Sequence, residues 1–169
     1  MTNPFKRLTF TAVAMIFASI AMGQLKAKVK CPDVYIDILN GTVNNDLKAN
    51  TTAGEIKVAL PCFTSYEDEE TTTTKCGGGL FYKDKDISFY TKRDYIEIGP
   101  KFVGKLSIPI LGTKRGSLFK SLGNPKMKDD KWDAYQTSYG LLVLHYDATG
   151  KVHHFQITTQ GTDTLNLCE

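Results

Sequence analysis

The chain lacks the short motifs that mark the commonest catalytic and metal-binding sites. Its 169 residues contain neither a G-x-S-x-G nucleophile motif nor an H-E-x-x-H zinc motif. Its four cysteines include no C-x-x-C pair, which is a frequent part of a zinc site. These absences argue against the commonest hydrolase classes and against structural zinc folds. We therefore expect no catalytic residue set, no metal and no other cofactor.

The chain also lacks an apolar run long enough to cross a membrane. Its longest run, from Leu8 to Met22, has about 15 residues, whereas a spanning helix needs roughly 20. The run follows Lys6 and Arg7 and ends in small residues at the Ala-Met-Gly sequence before Gln24. This layout predicts a secretory signal peptide over residues 1–23. We therefore expect an exported protein, periplasmic or secreted, without a stable membrane anchor.

Little net charge remains once the predicted signal peptide is removed. The whole chain has 21 Lys and Arg against 18 Asp and Glu, and two of the basic residues belong to the signal peptide. The remaining residues carry a net charge of about +1, which leaves no basic field for binding a nucleic-acid backbone. A chain of this length can bury a substantial core within one compact unit.

All four cysteines, namely Cys31, Cys62, Cys76 and Cys168, lie in the predicted mature protein. An even number of cysteines in an exported chain predicts two disulfides, for which three pairings exist. We favour Cys62–Cys76, which would close a local loop around the acidic and threonine-rich residues 65–75. The second pair would then be Cys31–Cys168, which would tie the two ends of the mature chain together.

Two segments of the mature chain share one plan, in which a short helix and a helix stop are followed by strands. We place the first repeat at residues 24–98 and the second at residues 99–169. In the first repeat, Thr52 and Glu55 have the spacing of a capping box, and Pro61 ends the helix. The predicted fold class is α+β: both repeats share one curved antiparallel sheet, and their helices pack on one face of it.

The second repeat has its own helix signal within residues 112–125. Thr113 is the expected cap, and Leu118, Phe119 and Leu122 form the apolar stripe before a Gly-Asn-Pro stop. Strands are expected at residues 79–84 and 132–140, and hairpins at 87–98 and 141–157. In the second hairpin, Asp147 to Gly150 form the turn, because Gly150 can adopt a positive φ.

The order of these signals resembles a known protein family. The resemblance rests on a short helix that ends in Leu122-Gly123-Asn124-Pro125 and on the later hairpin Tyr146-Asp147-Ala148-Thr149-Gly150-Lys151-Val152. Both are similar to the β-lactamase inhibitor protein family and to the related SmpA/OmlA outer-membrane assembly lipoproteins. The tandem arrangement is closer to the inhibitor, and the lipidated cysteine of the lipoproteins is missing. The resemblance implies protein–protein contact through the helix-free face of a curved sheet, and it implies no catalytic residues.

Strand alternation assigns the side chains of the two hairpins to opposite faces. The core side is expected to carry Ile87, Phe89, Ile96, Ile98, Leu142, Leu144, Phe155 and Ile157, with His153 on the same side. The helix-free face is expected to carry seven candidate partner-binding residues: Tyr90, Tyr95, Glu97, Val143, His145, His154 and Gln156. This mixture of aromatic, polar and apolar groups is typical of an interface. It also fits a plain sheet face, because tyrosine favours strands.

Three functional hypotheses follow from these residues. The first is an exported, non-enzymatic protein-binding module, of inhibitor or immunity type, that binds a protein partner through the helix-free face. The second is a structural or assembly factor of the cell envelope. The third is a small hydrolase or metal-dependent enzyme that uses His145 and His154. The third hypothesis needs a nucleophile or a third ligand beside these histidines, for which Glu97 is the candidate.

Overall fold

The computed structural model describes residues 30–68, 70 and 76–167, and the predicted signal peptide and Cys168 lie outside these residues. The strands are β1 (Tyr35–Asp37), β2 (Thr42–Val43), β3 (Ser65–Glu67), β4 (Gly79–Tyr82), β5 (Ile87–Tyr90), β6 (Tyr95–Ile98), β7 (Lys105–Leu106), β8 (Met127–Lys128), β9 (Trp132–Gln136), β10 (Leu141–Tyr146) and β11 (Val152–Thr158). The helices are α1 (Ala53–Ala59) and α2 (Phe119–Leu122), with 3-10 turns at Thr91–Arg93 and Arg115–Ser117.

The main sheet has eight strands in the order β3-β4-β5-β6-β11-β10-β9-β8. Strands β3 to β6 come from the first half of the chain, and β8 to β11 come from the second half. Every neighbouring pair is antiparallel, and the two halves join where β6 pairs with β11. The expected α+β class is therefore confirmed, with mostly antiparallel pairing and short helices.

A second, three-stranded sheet has the order β2-β1-β7. Strand β1 pairs antiparallel with β2 and parallel with β7, which follows the first half of the main sheet in sequence. Ile36 and Val43 of this small sheet are fully buried within the main hydrophobic core. Sequence patterns did not indicate this sheet, because strands of two or three residues are too short to show an alternation.

The main core lies between the large sheet and the layer formed by the helices and the small sheet. It contains the expected inward residues of both hairpins: Ile87, Phe89, Ile96, Ile98, Leu142, Leu144, Phe155 and Ile157. Ile56 and Leu60 bring α1 onto the same core, and Leu118 does so for the second helical segment. The alternation predicted for these positions is therefore confirmed.

Helix α1 has the capping box that its sequence predicts. The Thr52 hydroxyl accepts a hydrogen bond from the Glu55 backbone N–H, and the Glu55 carboxylate accepts one from the Thr52 backbone N–H. The Thr52 hydroxyl also donates to the Glu55 carboxylate at 2.7 Å, and this bond, together with the one from the Thr52 backbone N–H, lowers the pKa of the Glu55 carboxyl. The helix stops before Pro61, and the Leu60 carbonyl accepts a hydrogen bond of 2.6 Å from the buried Tyr82 hydroxyl. A side chain of the sheet thus satisfies the end of the helix.

The second helical segment differs from its prediction in two respects. Thr113 does not cap it, because the Thr113 hydroxyl donates to the Pro109 carbonyl and the segment begins as a 3-10 turn. Phe119 was expected in the apolar stripe, yet 60% of it is exposed. The change from 3-10 to α geometry rotates the side chains away from the spacing of a regular α-helix. Leu118 is therefore buried while Phe119 faces outward.

The strand β11 contains an irregularity that overturns the expected position of His153. The register between β10 and β11 shifts after the pair His145–His154, so that Tyr146 lies opposite Val152. The extra residue is His153, which is exposed, while Val152 is buried in the core. A β-bulge breaks strict alternation, and a strand pattern read from sequence cannot locate it.

The structure contains a disulfide between Cys31 and Cys62. Both favoured pairings, Cys62–Cys76 and Cys31–Cys168, are therefore wrong, because each requires one of these two cysteines. The bond joins the segment before β1 to the end of α1, two elements that pack on the same core. The sequence pattern favoured the short loop, whereas folding brings Cys31 beside Cys62 with a Cα–Cα distance of 5.6 Å.

Peptide mapping of the oxidised chain under non-reducing conditions should identify a peptide linked through Cys31 and Cys62. Replacement of Cys62 by Ser should lower the free energy of unfolding by about 3 kcal/mol, because the bond closes a loop of intermediate length. Cys76→Ser is the control, and it should leave the linked peptide intact. Recovery of a Cys62–Cys76 peptide from the wild type would contradict the pairing.

Gly41→Ala should destabilise the fold by about 2–4 kcal/mol, as measured by urea denaturation. Gly41 has a φ of +65°, and an added Cβ would lie 2.5 Å from the ring of Tyr139, whose hydroxyl is anchored on the Ile38 carbonyl. The strain of a positive φ and the overpacking each contribute about 1 kcal/mol or more. Gly112→Ala is the matched control, because Gly112 has a φ of +72° in open space. Equal losses for both variants would show that the contact with Tyr139 has no cost.

Candidate interaction face

The seven candidate residues all lie on the face of the large sheet opposite the helices. Their neighbours along each strand are the inward core residues, and the strand register aligns them in rows across the sheet. Tyr90 lies opposite Tyr95, Glu97 opposite Gln156, Gln156 opposite Val143, and His145 opposite His154. The tyrosine pair is in ring contact, with centroids 4.5 Å apart. Residues from both halves of the chain therefore meet on one face.

The helix-free face differs in exposure from one position to the next. Tyr90, Glu97 and His154 are half-buried, whereas Tyr95, Val143, His145 and Gln156 are buried. This face is therefore not an ordinary solvated side of an antiparallel sheet, which carries exposed polar groups. Its half-buried groups are the ones that a partner can reach without a rearrangement of the chain.

A polar row crosses the junction of the two halves. The Gln156 side-chain amide donates a hydrogen bond of 3.0 Å to the Glu97 carboxylate, which comes from the other half of the sheet. The Gln156 side chain is also hydrogen-bonded to His145 on the neighbouring strand. Buried polar groups need such partners, because an unsatisfied group costs its full desolvation energy. The row therefore fixes the orientation of His145 relative to Glu97.

His145 and His154 stack face to face beside this row, as the next outward-facing pair along β10 and β11. Their ring centroids are 4.2 Å apart and their planes differ by 9°. Burial lowers the pKa of His145 to about 4, and the neighbouring charges of His154 and His153 act in the same direction. His145 is therefore neutral at pH 7, which allows it to stack closely on its neighbour.

The exposed His153 lies across the edge of His154. The two Nδ1 atoms are 3.2 Å apart, and the rings are nearly perpendicular. Within residues 30–68, 70 and 76–167, no three His, Cys, Asp or Glu side chains are grouped so that they could hold a metal ion. Glu97, the candidate third ligand, instead bonds to Gln156. The histidines thus form a stacked aromatic group at one end of the face.

The part of the helix-free face formed by β8, β9 and β10 is apolar, and it begins beside the histidines, because Trp132 lies opposite His145. Ala134, Leu141 and Val143 form a small buried cluster that is separate from the main core, and Met127 and Trp132 flank it. We refer to these five residues as the outer apolar cluster. Leu165 and Leu167, near the end of the described chain, pack against it. Sequence patterns did not indicate this cluster, although the alternation that places Val143 outward also places Leu141 there.

A second polar cluster lies on the core side of the same strands and was not predicted. The Arg115 guanidinium forms a bidentate pair with Asp133, whose side chain is 3% exposed, and it also bonds to the Asp129 and Asp130 carbonyls. The Tyr146 hydroxyl donates to Asp133 at 2.8 Å, and the Arg115 guanidinium lies 4.8 Å from the Tyr146 ring centroid. Burial and the Asp133 carboxylate raise the pKa of Tyr146.

This cluster attaches the second helical segment to the sheet. Arg115 begins the 3-10 turn, and Asp133 lies within β9, so the ion pair joins these two elements. A shallow groove beside it is lined by Phe119, Asn124, Lys128 and Tyr135. One signal for the cluster was available in the sequence, namely an aspartate within a strand pattern at Asp133.

Comparison with known proteins leaves the chain without a family assignment, because no family model, no curated protein and no solved structure matches it. Among the residues that the structure describes, no helix has the length and apolar character needed to cross a membrane. The residues on the helix-free face are therefore the basis for a functional proposal.

The stability of the chain should depend on pH through His145. Its pKa is about 4 in the fold and 6.5 in the absence of the fold, so the unfolded chain binds the proton first as the pH falls. The stabilisation is complete above pH about 6.5 and is lost progressively towards pH about 4, by up to about 3 kcal/mol. Urea denaturation of wild type and His145→Gln at both ends of this range measures the difference.

The exposed His153 supplies the matched control, because His153→Gln keeps the buried histidine in place. This control should keep most of the pH dependence of the wild type, because burial is the largest cause of the low pKa of His145 and the charge of His153 the smallest, whereas His145→Gln should have a flatter profile between pH 6.5 and 4. Parallel profiles for all three proteins would show that burial of His145 does not disfavour its protonation.

Proposed function

We propose that the chain is an exported, non-enzymatic protein-binding module that binds a protein partner through the helix-free face. The observation that carries the proposal is that Tyr90, His154 and Glu97, from three strands, are half-buried on one face beside the buried Tyr95, His145 and Gln156. Aromatic side chains surrounded by dry, packed neighbours are typical of binding hot spots. An inhibitor or immunity-type role is the most specific form of the proposal.

Rigidity of the face supports this proposal. Gln156 connects Glu97 to His145, and ring contacts hold Tyr90 on Tyr95 and His154 on His145. Side chains that are already ordered lose little entropy when a partner binds. A face whose side chains are already ordered therefore favours recognition of a partner.

We further propose that the sheet is a tandem repeat of the kind implied by the resemblance to the β-lactamase inhibitor protein family. Each half contributes a helix, α1 or α2, followed by four strands that pair in sequence order. The last strands of the two halves, β6 and β11, pair antiparallel at the centre. Duplication of one unit made of a helix and four strands would produce this order of elements. The proposed boundary after Ile98 coincides with the end of β6.

Export is part of the same proposal. The disulfide between Cys31 and Cys62 supports it, because disulfides persist in oxidising compartments and are rare in the reducing cytosol. The predicted signal peptide at residues 1–23 is the corresponding sequence feature. A secreted or periplasmic location would also bring the helix-free face into contact with partners outside the cytosol.

Replacing Tyr90 and His154 together by Ala should weaken partner binding by about 30-fold or more, because truncated hot-spot residues typically cost 2 kcal/mol or more. The partner would first be isolated by immobilising the oxidised mature chain and offering it envelope and secreted extracts of its source. Affinities of wild type and variant would then be compared by calorimetry. Both altered residues are half-buried, so the core stays intact.

Val58→Ala is the matched control, since Val58 is 84% exposed on α1, on the opposite side of the sheet. It should bind the partner as the wild type does. Equal affinity of the Tyr90 and His154 variant and the wild type would exclude the helix-free face as the binding surface. Greater loss in the Val58 variant would assign binding to the helical side.

A further inference from the structure

The β-bulge of β11 brings two neighbouring histidine rings together. In a regular strand the side chains of His153 and His154 would point to opposite faces, because successive residues alternate. The register shift after the pair His145–His154 makes His153 the extra residue, and a bulge of this kind redirects a side chain. The two Nδ1 atoms lie 3.2 Å apart, and the rings are nearly perpendicular. Bulges are frequent beside functional sites, which directs attention to the chemistry of this pair.

The separation of the two nitrogens matches that of two ligands of one metal ion. Imidazole nitrogens bind zinc at about 2.0–2.1 Å, so two of them on a tetrahedral ion lie about 3.4 Å apart. In the square-planar arrangement of copper(II), a similar bond length gives a separation of about 2.9 Å. The observed distance of 3.2 Å between the Nδ1 atoms lies between these two values. Both geometries are therefore reached by a small rotation of the exposed ring.

Two chemical states account for so close an approach of two ring nitrogens. In the first, one ring carries its proton on Nδ1 and donates it to the other ring in a hydrogen bond. In the second, both rings carry their protons on Nε2, and both Nδ1 atoms donate lone pairs to one cation. Two Nδ1 lone pairs that faced each other without a proton or a cation would repel. The pair can thus exchange a shared proton for a metal ion.

The surroundings orient one of the two rings and leave the other accessible. His154 is half-buried and stacks on the buried His145, with ring centroids 4.2 Å apart. Gln156 connects His145 to Glu97 and so fixes the base of the stack. A ligand that is already oriented by its neighbours holds a metal ion more tightly. His153 is exposed, so water can reach the remaining coordination positions of an ion.

The donor atoms determine which ions fit the pair. Neutral imidazoles suit zinc, nickel and copper, whereas magnesium and calcium require oxygen ligands. Among the divalent ions of the first transition row, copper(II) binds a given set of nitrogen ligands most tightly. Within the described ranges 30–68, 70 and 76–167, no group of three ligating side chains could hold a metal ion. The pair is therefore an open site with two protein ligands.

We propose that His153 and His154 bind one divalent transition-metal ion, copper(II) most tightly, through their two Nδ1 atoms. Water completes the coordination of the ion. This binding goes beyond the proposed function, because it needs no protein partner. The expectation of no metal concerned His145, His154 and Glu97, because strict alternation placed His153 on the opposite face of the sheet.

Calorimetric titration of the oxidised mature chain with copper(II) chloride, after removal of metal by a chelator, measures this binding directly. One ion per chain should bind, nickel and zinc should bind less tightly, and magnesium should not bind. His153→Gln should weaken copper binding at least about 10-fold, because the loss of even a group that supports a ligand typically costs that much. His153 is exposed, so this variant keeps the core intact.

Glu97→Gln is the matched control, because Glu97 is the candidate third ligand and is bonded to Gln156 instead. It should bind copper(II) as the wild type does. A loss of affinity in this variant equal to that in His153→Gln would overturn the set of two nitrogen ligands. Copper binding that His153→Gln leaves unchanged would overturn the proposal, as would the absence of saturable binding to the wild type.

Nuclear magnetic resonance of the unmodified chain, with isotope-labelled histidine nitrogens, provides a second measurement that does not depend on any variant. Zinc is diamagnetic, and its addition should shift the Nδ1 resonances of both His153 and His154 far more than those of His145. A large shift of only one of the two histidines would overturn the shared site. Shifts of the Nε2 resonances in place of the Nδ1 resonances would overturn the assignment of the ligand atoms.

Discussion

The pairing of β6 with β11 is the interaction on which the rest of the structure depends. Ile96 lies opposite Ile157 and Ile98 opposite Phe155, and all four side chains are fully buried. Without this pairing, each half would be a four-stranded sheet with an open central edge, which is a site for aggregation. With it, the two edges satisfy each other and one continuous core forms beneath eight strands. The same pairing brings Glu97 beside Gln156 on the opposite face.

The polarity of the helix-free face therefore changes from strand to strand. Its central row is polar, because Glu97, Gln156 and His145 are connected there. Its end on β9 and β10 is apolar and is covered by Leu165 and Leu167. Polar groups that are bonded to each other keep a fixed geometry, while an apolar cluster accepts any side chain of suitable size. In our proposal the polar row gives the partner its orientation, while the apolar cluster holds the last described segment of the chain on the sheet.

The opposite face is held to the helices by different means in the two halves. Helix α1 uses apolar packing, its capping box and the disulfide between Cys31 and Cys62. The second helical segment, with only four residues of α-helix, packs Leu118 on the core and adds the ion pair between Arg115 and Asp133. A short helix has little propensity to form alone, so its attachment must come from tertiary contacts. The two halves thus share an order of elements without sharing their stabilising interactions.

The sequence by itself determined the features that depend on neighbouring residues: the capping box at Thr52, the hairpins and the alternation that places seven residues on one face. These are local, because side-chain direction follows from strand geometry within a few residues. Only the tertiary structure decided the Cys31–Cys62 pairing, the bulge at His153, the small sheet and the cover over the outer apolar cluster. Each of these joins parts of the chain that are distant in sequence or shifts a register by one residue, and which contact forms depends on how the whole core packs.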